Sequence, residues 1–582
     1  MERETYNTKM GELLSDRKTY EKVKRDPTSG YQTKTNDLVK RLEQLMLLDK
    51  KTARRLRTYT AVCPKIYGQP KAHKPGLPLR PVVPCMTAPT YELSKFIGRI
   101  LHQSFSSKYN IRNSGEFCQY IHTITVPSGY IMVSFDVVSL FTSIPIDLVR
   151  KGILKHWDQI SLRTPICLDL FLETVQFCID SSFFCFDGNY YKQKTGLAMG
   201  SPIAPSVAQI VVDDLLDAAV QNSTISLPHV KKYVDDLFLL LPEEQVEAIQ
   251  KVFNSQHHNI QFTIELEKDG QLPFLDMMLY RNADGKISTD WYMKPIASGR
   301  FLNYHSFHPI HQKMNVAIGF AKRVKMFSTR IDEGSMKEII RKNLRLNDYP
   351  LPLINRIINK LTGKTTPHLA TVENEESGKL ITRSLTNIDG LTNKIIKTLR
   401  SEYKHVRTAS RQTKTISSLF PIVKDKTPYD EQTNIVYRIE CQGKRNTDGT
   451  QGGSCNACYV GCTVKKLKQR TSQHRTQTNE LIRLWDLGYT KDDYPIQKLK
   501  QQTALLEHEI AMDHLFDIDN TKIIDRCDKR EKLLTLESCY IKTTKNTINV
   551  KKDTDNIHPT YASVFNTLEQ VRKMKTNTKT QV

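Results

Sequence analysis

The sequence predicts an α+β protein of several domains, and three observations predict it. Its 582 residues correspond, at roughly 100–200 residues per domain, to three to five domain-sized units. Short β-rich runs and helical periodicities alternate over residues 61–362 and resume at about Thr433. Between these blocks, residues 363–430 are rich in Thr, Ser, Lys and Asn, the composition of a connector.

Lys and Arg number 85 against 62 Asp and Glu, a net charge of +23 and a pI of 9.3 in a chain that is 39% hydrophobic. Such an excess on a globular chain implies a polyanionic partner, RNA or DNA ahead of an acidic membrane. The most apolar stretches, Tyr130–Ile146 and Ser201–Val220, contain Asp136, Asp213 and Asp214, so neither reads as a membrane span. The opening MERETYNTKM has no apolar core of a secretory signal, which places the 12 cysteines in a reducing compartment as thiols or metal ligands.

The elements follow in order. Leu38, Leu42, Leu45, Met46 and Leu48 recur at helical spacing behind Thr35 and Asn36, predicting an amphipathic basic helix over 35–59 in an N-terminal helical region, residues 1–60. Pro64–Pro89 predicts extended segments and turns carrying cations. The run Tyr130–Asp136 predicts a strand ending in a carboxylate, followed by a turn at Ser143–Pro145 and a helix. Ser206–Val220 reads as a helix opened by Pro205, and the apolar runs around Asp235 and Asp236 are each too short for a helix, so 230–241 reads as a hairpin with acids at its tip. Phe274–Tyr280 and Lys286–Met293 read as paired strands around Asn282–Gly285. The pattern is helical from Met314 to Leu361, and one helix, Leu391–Tyr403, interrupts the connector before the basic run Arg407–Thr415.

Joining a nucleotide to a primer needs carboxylates that hold two divalent ions roughly 4 Å apart. Asp136, Asp235 and Asp236 are the candidates, with the Val137 carbonyl beside them. The similar pair Asp213 and Asp214 lies in a continuous helical pattern, where adjacent side chains diverge, and reads as structural.

The order Asp136 and Phe141, then Gly196–Pro202 (GLAMGSP), then Tyr233-Val-Asp-Asp236, then Leu272–Asp276 (LPFLD), is the motif series of reverse transcriptases, with Lys71, Lys74 and Arg80 upstream. The phrases PKAHKPGLPLRPVV, SFDVVSLFTSIP, YVDDLF and YHSFHP resemble those of Penelope-like retroelements over roughly residues 60–360. That resemblance implies a right-hand polymerase fold, with fingers and palm over 61–300 and a helical thumb over 301–362. It further implies two Mg²⁺ ions, with Mn²⁺ as an alternative, on Asp136, Val137, Asp235 and Asp236. Arg80 with Lys71 or Lys74 would bind the triphosphate, Phe141 would exclude a ribose 2′-OH by volume, and Gly196, Ser201 and Pro202 would position template and incoming base.

Downstream, Asn434–Cys441 and Cys455–Thr463 read as strands, followed by a helix carrying Arg470 and His474 on one face. The spacing of Tyr459-Val-Gly461, Leu467, Arg470 and His474 resembles the GIY-YIG endonucleases, although the first motif reads Ile435-Val-Tyr437 and lacks its Gly. The resemblance implies a small α/β nuclease domain over 431–560, followed by a basic tail at 561–582. Tyr437 would be the general base with Tyr459 beside it, Arg470 the phosphate clamp and Glu537 the single Mg²⁺ ligand; His474 and Asn549 match further functional positions. Cys441, Cys455, His508 and His514 would form the zinc set that Penelope-type elements carry, with Cys458 a rival through its CxxC with Cys455.

The expected function is a retroelement RNA-directed DNA polymerase that copies its RNA from a primer end made by its own nick. The expected partners are template RNA, target DNA with its primer end, and dNTPs, and no membrane. It would work in the nucleus and be cytoplasmic while binding RNA. The alternatives are a domesticated, telomerase-like end extender and an inert RNA-binding remnant. The N-terminal part is short for this family, so a longer natural chain is expected.

Overall fold

The computed structural model describes residues 1–71, 75–362, 381–388, 390–403, 405–411, 424–445, 451–452, 455–527, 530–550, 553, 557–561 and 563–567. Lys74, the start of the connector and most of the expected basic tail lie outside them. The described part is a mixed α+β protein.

Its central element is a four-stranded antiparallel sheet in the order Val230–Tyr233, Asp236–Pro242, Tyr130–Val137, Phe262–Leu266. The middle strands are almost wholly apolar because both faces are covered. Ile131, Val133, Phe135, Leu237, Leu239 and Leu241 enter a core shared with the helices Tyr91–Ser104, Ile146–Lys155, Leu168–Asp180 and Ala204–Gln221. The alternate residues Met132, Phe238 and Leu240 enter a second core with the helix Ser114–Ile121 and the strands Gln271–Phe274, Met277–Arg281 and Ile287–Trp291.

Beyond this body, the helices Ile310–Phe327, Glu333–Leu346 and Leu351–Thr362 enclose a separate core of Ala317, Ala321, Val324, Ile340, Leu344 and Ile357. The last large unit is a five-stranded sheet around Ile435–Arg445, which pairs with Gln451–Gly452, Cys458–Thr463, His514–Phe516 and Lys522–Arg526.

Four expectations need correction. The chain opens with a helix at Arg3–Leu14, and the helix expected over 35–59 is two, Thr28–Gln44 and Lys50–Leu56, broken where Met46 takes φ 56° and Asp49 caps the second. Thr35 is therefore buried in mid-helix rather than at a cap. The strand expected over Phe274–Tyr280 is split by a turn in which Leu275 has φ 54°. The connector contains a parallel strand pair, Ile381–Thr386 and Val406–Arg411, bridged by the helix Thr392–Glu402. Its alternation was masked because Thr408 and Ser410 occupy inward positions.

Among the described residues, no helix is long and apolar enough to cross a membrane.

Candidate functional sites

The first site grows from strand register. Asp136 lies directly opposite Asp236 across the antiparallel pair of central strands, and Tyr233 pairs with Asp236, so Val234 and Asp235 form a two-residue turn. Val234 has φ 60°, a conformation costly for a β-branched residue and held only where surrounding structure fixes it. The Val137 N–H donates to the Asp235 carbonyl at 3.3 Å, which ties the turn to the end of the neighbouring strand. Burial, followed by the charges of Asp235 and Asp136, pushes the Asp236 carboxyl up to about 6, while Lys294 acts in the opposite direction. Asp136, Asp235 and Asp236 together form an oxygen-donor set suited to hard divalent cations. Asp136 and Asp236 border a cleft of about 600 Å³ lined also by Thr263, Leu275, Tyr292 and Lys294.

Phe141 is half-buried on the short helix Leu140–Ser143, and its carbonyl accepts from Leu197 N–H at 2.6 Å. Gly196 has φ 72°, and a Cβ there would meet the Thr142 carbonyl at 2.3 Å, so the glycine lets this loop lie against the Phe141 turn. At the loop's far end Val83 N–H donates to the Met199 carbonyl at 2.8 Å, next to the hairpin Tyr67–Pro70 and Leu79–Val82. Arg80 is exposed on that hairpin, and Lys71 follows its first strand. Ser201 and Pro202 are half-buried just ahead of the helix Ala204–Gln221.

Sequence reasoning missed Lys294 and Arg323. Lys294 carries no motif signal; it reaches the cleft because it leaves the strand Ile287–Trp291 toward Asp236. Asp276, in the LPFLD motif, accepts from Ser114 Oγ at 2.7 Å and from Arg323 on the first helix of the three-helix unit. A groove of about 910 Å³ between these elements shares Leu275, Tyr292, Lys294 and Ile296 with the acidic cleft.

The second site is built on Ile435–Arg445. Tyr437 is fully buried and lies opposite Gly461, where a Cβ would fall 2.7 Å from the Tyr437 hydroxyl. Gly461 is thus the space into which the tyrosine fits. Arg470 Nε donates to the Tyr437 hydroxyl at 2.9 Å, and that hydroxyl lies 2.9 Å from His474 Nε2. Burial, then the Arg470 charge, pushes His474 down to about 3, so the imidazole beside the tyrosine hydroxyl is neutral. Burial also raises Tyr437 and Tyr459, whose rings are 6.3 Å apart. Glu537, on the helix Arg530–Thr543, accepts from Cys462 N–H at 2.6 Å and from its thiol at 3.1 Å, and burial raises its carboxyl. Asn549 is occupied otherwise: it accepts from Val460 N–H at 3.0 Å and donates to the Val460 carbonyl and Asp553. Its amide oxygen and amide nitrogen are thus both engaged, by the Val460 backbone and by Asp553.

Cys441, Cys455, His508 and His514 place one ligand atom each within 4.8 Å of one another. Cys441 Sγ is 3.4 Å from His508 Nε2 and 3.5 Å from His514 Nδ1; Cys455 Sγ is 3.8 Å from His508 Nε2, and the two imidazole nitrogens are 3.2 Å apart. Tetrahedral zinc, with bonds of about 2.3 Å to sulfur and about 2.0–2.1 Å to nitrogen, sets its ligand atoms about 3.3–3.8 Å apart. The donor set fits that ion. Cys458 lies elsewhere, fully buried with its thiol toward the Lys545 carbonyl at 3.6 Å.

A profile of the animal helix-turn-helix domain matches residues 300–359, the three-helix unit. No curated protein matches the chain by sequence. Among solved structures, telomerase from Candida albicans in complex with a fragment of telomeric RNA is 11% identical with a TM-score of 0.36, over 56% of this chain and 59% of that one. Apo telomerase from Candida tropicalis is 10% identical with a TM-score of 0.35, over 62% and 63%. An insertion-loop deletion mutant of the RNA-dependent RNA polymerase of a human picobirnavirus is 12% identical with a TM-score of 0.36, over 61% and 76%. The chain thus spans less than two thirds of the length of either telomerase. These likenesses are partial and assign neither activity nor substrate.

Proposed function

We propose that the chain is an RNA-directed DNA polymerase joined to a DNA-nicking endonuclease, of the Penelope-like retroelement type, which copies RNA from a primer end made by its own nick. The observation that carries the reading is the register pair Asp136–Asp236 on the acidic cleft with Asp235 at the adjoining turn, where burial and the two neighbouring carboxylates push that of Asp236 up. When bound there, two divalent ions would activate the primer 3′-hydroxyl and neutralise the departing pyrophosphate. Asp136, Asp235, Asp236 and the Val137 carbonyl would hold them. Lys294 adds a cation on the cleft wall, Arg80 with Lys71 or Lys74 takes the triphosphate, and Phe141 backs the sugar. The groove leading to Arg323 gives the primer strand a route toward the three-helix unit, which would act as the thumb.

In the second site Arg470 would grip the scissile phosphate and Glu537 would hold the single Mg²⁺ or Mn²⁺. Tyr459 stands nearer the surface, and Tyr437 would be the general base that takes the proton of the attacking water. Zinc on Cys441, Cys455, His508 and His514 would be structural, since four protein ligands leave no open position. This second catalytic constellation favours an element protein over a telomerase-like extender, and the intact acidic sets favour both over an inert RNA-binding remnant. Chromosomal DNA as substrate implies nuclear action.

The test supplies supercoiled DNA, an RNA template and labelled dNTPs with no other primer. Label covalently joined to the nicked DNA supports the reading. Nicks without label, or label only on an added primer, would reject target priming.

A further inference from the structure

The acid pair that reads in sequence as structural is joined to the hairpin that carries the other pair. Asp213, on the helix Ala204–Gln221, is 4% exposed, and its Oδ1 accepts from Nζ of Lys232, which is 1% exposed. Lys232 belongs to the strand Val230–Tyr233 and stands three residues before Asp235.

Its backbone is fixed as firmly as its side chain. Lys232 N–H donates to the Tyr109 carbonyl at 2.8 Å, and Ile111 N–H donates to the Lys232 carbonyl at 2.9 Å, so the outer edge of the hairpin is paired to residues 109–111. That segment is held in turn by the same helix one turn on, where Asp217 Oδ1 accepts from the Tyr109 hydroxyl at 2.9 Å and from Lys108 Nζ at 2.7 Å. The neighbouring Asp214 faces away and accepts from Lys155 Nζ at 2.5 Å and His156 Nε2 at 3.1 Å.

A buried ion pair is a poor source of net stability, because desolvating both charges offsets much of their attraction. What it supplies is a fixed separation between two backbones. Here those backbones are the helix and the hairpin whose turn holds Val234 at φ 60°. We propose that Asp213 and Lys232 are a positioning pair that sets where the Asp235 and Asp236 carboxylates stand relative to Asp136, and thereby the affinity of that set for divalent ions. The proposal rests on the polymerase reading of the acidic cleft. Neither residue touches the reacting atoms.

The test uses the full chain. Primer extension on an RNA template is followed as Mg²⁺ is titrated, for the wild type, for Asp213→Glu, which keeps both charges and moves one by a methylene, and for the neutral double variant Asp213→Asn with Lys232→Met. Thermal melting followed by circular dichroism reports the fold. The expected result is cooperative melting in both variants with the Mg²⁺ needed for half-maximal extension raised about 10-fold, because a misplacement of about 1 Å can cost up to about 10²-fold. Folded variants with the wild-type Mg²⁺ curve would overturn the proposal. Loss of cooperative melting in both would also overturn it, since that is the behaviour of a pair that only holds the fold together. A wild-type protein that extends no primer would reject the polymerase reading itself.

Discussion

Tyr437 and His474 share a hydrogen bond of 2.9 Å inside the second sheet, and the histidine is fully buried with no partner for Nδ1 among the described residues. Its pKa is lowered from 6.5 to about 3, chiefly by burial. Below pH 6.5 the unfolded chain binds a proton here that the folded chain refuses, so this site's contribution to stability is lost as pH falls from 6.5 toward 3. Replacing His474 by Gln removes the titration while leaving the zinc set untouched. The melting temperature of the His474→Gln protein should therefore change less than that of the wild type between pH 7 and pH 4.5. Parallel pH profiles would return His474 to a group with an ordinary pKa.

Phe141 is only half-buried although it packs against the main core. If its ring excludes the ribose 2′-OH, Phe141→Ala should raise ribonucleotide use relative to deoxynucleotide use by about 10-fold or more, since the exclusion is steric. Competition between labelled rNTP and dNTP measures this. An unchanged ratio would leave Phe141 a packing residue.

Nicking should separate from synthesis. Arg470→Ala removes the cation bonded to the Tyr437 hydroxyl, and Glu537→Gln the half-buried carboxylate; neither lines the acidic cleft. Relaxation of supercoiled DNA should fall by about 10²-fold or more, with extension of a supplied primer preserved. Loss of both activities in folded variants would contradict two independent sites.

Zinc should follow the four clustered ligands. Cys441→Ala or His514→Ala should release one zinc per chain and lower the melting transition of the second domain, because binding and folding are coupled when ligands come from distant segments. Cys458→Ala should keep the metal. Elemental analysis decides it: zinc that survives loss of Cys441 but not of Cys458 would reverse the assignment.

Legibility in the sequence followed the contrast between apolar and polar positions. The hairpin around Asp235 was readable because Leu237–Leu241 are buried on both faces, and the three helices of 310–362 because their apolar positions recur at helical spacing. The strands at 381–386 and 406–411 were not, since their inward positions include Thr408 and Ser410. The true start of the helix at Thr28 was hidden by its polar first turns. Within the sites, spacing identified side chains but not what they touch. The Asp213–Lys232 pair joins residues 19 apart, and the three bonds of Asn549 reach Val460 and Asp553, which no local pattern displays.

The central claim is that the carboxylates meeting across the two central strands build DNA on an RNA template. Primer extension by the purified chain, with dNTPs and Mg²⁺, compared with that of Asp235→Ala, tests it most directly. The wild type should extend the primer, and the variant should do so about 10³-fold or more slowly while melting like the wild type, because loss of one ligand dismantles a two-ion site. Extension by Asp235→Ala at the wild-type rate, or none by the wild type, would contradict the claim.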